Sequence, residues 1–118
     1  MSESLRSNID FIKRLAVCSA AERRNLLEHA SNKNIKALSE LCLNLLRGNL
    51  PIDDKTKSKF KKHQRSIQLL ARRRVPLKNK REIINQRGSA GFLLPLASLA
   101  VPMLANLTGH LVNKAFKK

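Results

Sequence analysis

Between Asp54 and Glu82 the chain carries no acidic residue, while twelve lysines and arginines occupy that interval. Any fold must hold those side chains in water or against an anion, because like charges at helical spacing repel. A helix that merely faced solvent would mix signs to form i,i+4 pairs, and this stretch has no acid to pair with. The chain then changes character. Residues 88–113 contain no Lys, Arg, Asp or Glu. A dense cation is thus joined, through Gly88-Ser89-Ala90-Gly91, to a segment that prefers an apolar environment.

The net charge of +16 over 118 residues is distributed unevenly. Residues 1–50 carry eight basic and five acidic groups, 51–87 thirteen and three, 88–118 three and none. This divides the chain into an amphipathic helical region (1–50), a basic region (51–87) and an apolar C-terminal segment (88–118). Such a field draws polyanions, whether nucleic acid, anionic lipid or an acidic protein.

The hydrophobic residues are mostly Leu, Ile and Ala at helical spacing, without Trp or Tyr. The expected fold is all-α: a small bundle of short helices, a basic helical segment, then a Gly-hinged, Pro-interrupted apolar helical segment. At this charge density the basic helices are expected to be partly disordered without a partner. Leu5, Ile9, Ile12, Leu15 and Ala16 mark one face of a first helix. Ser19-Ala20-Ala21-Glu22 has the capping-box pattern and opens a second, with Leu26, Leu27 and Ala30. A third, capped by Asn32 or Asn34, carries Ile35, Leu38, Leu41, Cys42, Leu45 and Leu46, and ends at Gly48 before Pro51. That helix is too apolar to read base edges, which argues against a helix-turn-helix reader. Cys18 and Cys42 fall on apolar stripes without CxxC spacing, as reduced core thiols do. The polar start, MSESLRSNID, lacks the pattern of a secretory leader.

Asp53 or Asp54 is expected to cap a fourth helix reaching roughly Arg74, with Phe60, Ile67, Leu70 and Ala71 as a thin apolar stripe. Pro76 breaks it, and a short basic helix runs from Lys78 to about Gln86. The candidate nucleic-acid contacts are Lys55, Lys57, Lys59, Lys61, Lys62, Arg65, Arg72, Arg73, Arg74, Lys78, Lys80, Arg81 and Arg87. Apart from Phe60 the region lacks aromatic side chains, so base stacking is not the mode. Phosphate neutralisation remains, and about ten contacts would give a log–log salt slope near −9 on duplex DNA, blind to sequence.

In the last region Phe92, Leu93, Leu94, Pro95, Leu96, Leu99, Val101, Pro102, Leu104 and Leu107 are the candidate anchor to a membrane or a partner. Residues 88–113 are long enough to cross a bilayer. Pro95, Pro102 and Gly109 stand against a stable span, and a buried or interfacial hairpin fits at least as well, whether the segment packs within an assembly, acts at a membrane or is a simple core helix. No catalytic grouping is visible: His29, His63 and His110 are isolated, and no metal-ligand cluster or phosphate loop occurs. Neither an enzyme nor a cofactor is expected.

The order of a Lys/Arg-rich run, a small-residue hinge and GFLLPLASLAVPMLANL resembles the adenovirus core protein precursor pX (mu) family. The matching residues are Gly91-Phe92-Leu93-Leu94-Pro95 and, less closely, Val101-Pro102. LCLNLLRGNLPI and RRVPLKNKREIINQRG resemble pX-like proteins of adenovirus-related elements, the Maverick/Polinton and adintovirus group. The resemblance implies a minor core protein of a virion, acting in the host nucleus. It would condense double-stranded DNA beside capsid or other core proteins. Residues 1–50 are expected, from their apolar stripes and not from the resemblance, to fold locally and to mediate self-association. The resemblance also implies trimming by a viral cysteine protease near Gly48, Gly88 or Gly109, although no position carries that family's full glycine pattern.

Overall fold

The computed structural model describes residues 3–50, 52–85 and 92–102. It is all-helical. Seven helices run in order: α1 (Glu3–Ser7), α2 (Ile9–Val17), α3 (Ala20–Glu28), α4 (Asn32–Leu46), α5 (Asp54–Lys61), α6 (Gln64–Ala71) and α7 (Leu77–Asn85). Residues 93–102 are helical as well.

Helix α4 is the axis of the fold. Its apolar residues are spread widely enough to bury Ile35, Ala37, Leu38, Leu41 and Cys42 together, so it meets neighbours on several sides. It packs chiefly against α6 and also against α1 and α7. Its start is fixed by Ser31, not by Asn32 or Asn34 as the sequence suggests. The Ser31 hydroxyl accepts from Asn34 N–H at 3.1 Å, and the Asn34 amide oxygen accepts from Ser31 N–H at 2.9 Å. Asn34 completes the capping box instead of opening the helix. Its Nδ2 also donates to Asn8 Oδ1 at 2.7 Å, tying α4 to the break between α1 and α2. The expected single first helix is divided there.

The α4 C-terminus agrees with the expectation. Gly48 adopts φ +76°, its N–H bonds Leu45 C=O at 3.2 Å, and Asn49 N–H reaches Asn44 C=O at 2.9 Å. This is a Schellman ending, which needs a left-handed residue beyond the helix.

One cluster of buried side chains joins all three sequence regions. Leu5, Ile12 and Leu15 meet α4 residues, Phe60, Ile67 and Leu70 of the basic region, and Phe92, Leu93, Leu96, Ala97 and Ala100 of the apolar segment. Both cysteines are free and buried. The expected long basic helix is two helices, α5 and α6, interrupted at Lys62–His63. The half-buried His63 ring lies 5.4 Å from the Phe92 ring, at an interplanar angle of 37°. The break therefore coincides with a contact that links the basic region to the apolar one.

Candidate nucleic-acid interface

Helix α5 begins at Asp53, whose Oδ1 accepts from Thr56 N–H at 2.7 Å. Hydrogen bonds from Thr56, first its hydroxyl and then its N–H, hold the Asp53 carboxyl below its ordinary range. This cap and Asp54 oppose the positive end of the helix dipole. Both acids sit at the entrance, and every charged side chain beyond them on α5 is a lysine.

Lys55, Lys57, Lys59, Lys61 and Lys62 are all exposed. At 3.6 residues per turn, Lys55, Lys59 and Lys62 recur at i, i+4 and i+7 along one flank, and Lys57 and Lys61 recur at i and i+4 along the other. Ser58 lies between the rows, nearly opposite the buried Phe60. Its hydroxyl is turned back to Asp54 C=O at 3.1 Å, so the crest between the lysine rows is small. Arg65 is exposed in the first turn of α6. Arg72 caps α6, and Arg73 and Arg74 continue into the turn before Pro76, all three exposed. Lys78 is exposed on α7, whose first internal bond runs from Lys80 N–H to Pro76 C=O at 3.0 Å. Ten cations of the basic region thus reach solvent, without an intervening carboxylate.

Three expected contacts stand elsewhere. Lys80 is only 5% exposed, on the α7 stripe Leu77, Lys80, Ile84. Burial lowers its pKa, partly opposed by the neighbouring Cys42 thiol. The Arg81 guanidinium is engaged within the fold: Nη1 donates to Ala30 C=O at 2.7 Å and Nη2 to Asn32 Oδ1 at 3.1 Å. It ties α7 to the loop between α3 and α4. Arg87 lies outside the described residues. The sequence held a signal for Lys80, since the i, i+3, i+7 spacing with Leu77 and Ile84 places it on the apolar stripe. No such signal exists for Arg81, whose partners are about fifty positions away.

The proposed anchor residues divide as well. Phe92, Leu93 and Leu96 are buried in the chain's own core, Leu94, Pro95, Leu99 and Val101 are half-buried, and Pro102 is exposed. Leu104 and Leu107 lie outside the described residues, as does the Gly88–Gly91 link. Among the described residues no helix is long and apolar enough to cross a membrane. Nor does a group of three or more His, Cys, Asp or Glu side chains converge as a metal site there. Comparison with protein families, curated proteins and solved structures finds no match to this chain.

Proposed function

We propose that this chain binds double-stranded DNA non-specifically by phosphate neutralisation, as a core protein of a virus-like particle. The observation that carries the reading is the ten exposed cations from Lys55 to Lys78, on α5, α6 and α7 and the turns that join them, with the apolar sides of these helices already used by the core. Their mutual repulsion opposes folding and is relieved when a polyanion approaches.

The two lysine rows of α5 suggest how contact is made. An α-helix with side chains is about 10–12 Å across and the B-DNA major groove about 12 Å wide. A helix with a small crest at Ser58 and lysines on both flanks can lie along that groove and reach both phosphate strands. Arg72, Arg73 and Arg74 extend the contact to neighbouring phosphates. The crest between the rows is Ser58, whose hydroxyl is bonded to Asp54 C=O, and the flanking lysines point to the phosphate strands, so affinity is expected without sequence preference. The resemblance to pX-like proteins supports the same reading and supplies its setting, packaged viral DNA.

The test is to replace Arg72, Arg73 and Arg74 with Gln. Binding to unrelated duplexes should weaken equally, and the log–log salt slope should fall by about 2.7. A loss confined to one sequence would contradict non-specific binding. Burial of Phe92, Leu93 and Leu96 favours this reading over one in which the same residues insert into a membrane.

A further inference from the structure

A lysine whose stem is buried still needs water or an anion at its ammonium. Lys80 is only 5% exposed, yet among the described residues no side-chain nitrogen is both sealed from solvent and unpartnered, so its ammonium meets solvent. It lines a groove of about 350 Å³ between α4 and the Arg73–Leu77 connection. Lys36 of α4 and Arg73 line the same groove, and both are exposed. Glu40 lines it too, one turn from Lys36 in the i,i+4 register that suits a pair. Three cations still face one carboxylate. Among the described residues the titratable group that Lys80 senses is the Cys42 thiol, which is neutral at ordinary pH.

The remaining wall is formed by Leu43, Ala71, Val75, Pro76 and Leu77, with Ser39, whose hydroxyl is committed to Ile35 C=O, as its one uncharged polar member. Concentrated positive charge beside an apolar wall selects a ligand with both properties. Inorganic anions meet only the first. A phosphodiester within a duplex carries a single charge and is flanked by sugars on both sides. A phosphate monoester carries nearly two charges at neutral pH and one organic group.

We propose that the groove between α4 and α7 binds a small organic phosphate monoester. Its phosphate lies among Lys80, Lys36 and Arg73, and its organic group rests on Val75, Pro76, Leu77 and Leu43. Arg73 is shared with the face assigned to duplex contact, but the proposal does not rest on the DNA-binding reading, since Lys80 and Lys36 are not on that face.

Calorimetric titration of the intact protein with phenyl phosphate and with inorganic phosphate tests it. Phenyl phosphate should bind saturably at one site, about tenfold or more tighter than inorganic phosphate. Lys80→Met should weaken phenyl phosphate by about tenfold or more, the usual effect of losing a charged hydrogen-bond donor. Affinity for duplexes with 5′-hydroxyl ends should be unchanged in that variant. Should Lys80→Met fail to fold, Lys36→Gln, at an exposed position, is expected to weaken the same ligand severalfold. Equal binding of the two phosphates, or phenyl phosphate binding indifferent to whichever variant folds, overturns the proposal. The source of the ligand is read by comparing short duplexes with 5′-phosphate and 5′-hydroxyl ends. A gain from the 5′-phosphate that disappears in Lys80→Met assigns the groove to nucleic-acid termini. Phenyl phosphate binding without that gain assigns it to a free organic phosphate.

Discussion

Arg81 and Lys80 are adjacent on α7, and both are basic residues of a basic region, yet neither belongs to the exposed cationic face. Arg81 commits its guanidinium to Ala30 C=O and Asn32 Oδ1. Arg81→Ala should therefore lower unfolding stability by about 1–3 kcal/mol, measured by urea denaturation, while the DNA salt slope stays unchanged. A lowered slope with unaltered stability would reassign Arg81 to the DNA. The buried Cys42 makes a second prediction. Burial pushes its thiol from 9.0 up to about 12, against a smaller opposing effect of Lys80. The folded state keeps the proton longer than the unfolded state. The contribution of Cys42 is therefore fully present below pH 9.0 and is lost as pH rises towards 12. Lys80 acts oppositely: its lowered pKa penalises the fold while it is charged, and the penalty fades as it deprotonates. Unfolding stability should fall from pH 9 upward by about 1.4 kcal/mol per unit attributable to Cys42, and Cys42→Ala should remove that component in urea titrations at pH 8 and 10.5.

At the scale of helices, local chemistry decides the ends and tertiary contacts decide the breaks. The Gly48 ending of α4 and the Asp53 start of α5 were legible because each depends on residues within five positions. Gly48→Ala should cost about 1–2 kcal/mol in thermal or urea unfolding, from the left-handed backbone alone, since a Cβ there meets nothing within 4 Å. Ser31→Ala should cost about 1 kcal/mol by the same measurement, through loss of the capping box. Ser31 was harder to read than its neighbours Asn32 and Asn34, because Ser and Asn both cap well, and the bonds to Ser31 and Asn8 that fix Asn34 inside the helix appear only in the fold. The interruption at Lys62–His63 had no local marker: neither Gly nor Pro is present, and Phe60, Ile67 and Ala71 would share a stripe on a continuous helix. The associated ring contact, His63 on Phe92, joins residues 29 positions apart. The exposed cations from Lys55 to Lys78 were legible because unpaired charge seldom enters a core. Lys80 is the exception, and the i, i+3, i+7 spacing that buries it outweighed its charge.

For the whole molecule, the division into amphipathic, basic and apolar regions describes composition more than architecture. Leu5, Phe60 and Phe92 belong to one buried cluster. Deleting residues 92–118 should therefore lower the melting temperature markedly or abolish cooperative unfolding, as monitored by circular dichroism. A truncated chain with an unchanged transition would mean that the segment is an appendage to a fold completed by α1–α7. In the intact protein the core uses the apolar sides of α5 and α6 and leaves the lysines outside, which is how a chain this basic can be folded and still available to a polyanion. The most direct test of that arrangement is the affinity of the intact protein for unrelated DNA duplexes from low to above-physiological salt. Phosphate neutralisation by the exposed cations predicts a log–log slope of about −6 to −9, the same for every duplex. A slope shallower than about −3, or affinities that differ widely between sequences, would contradict it.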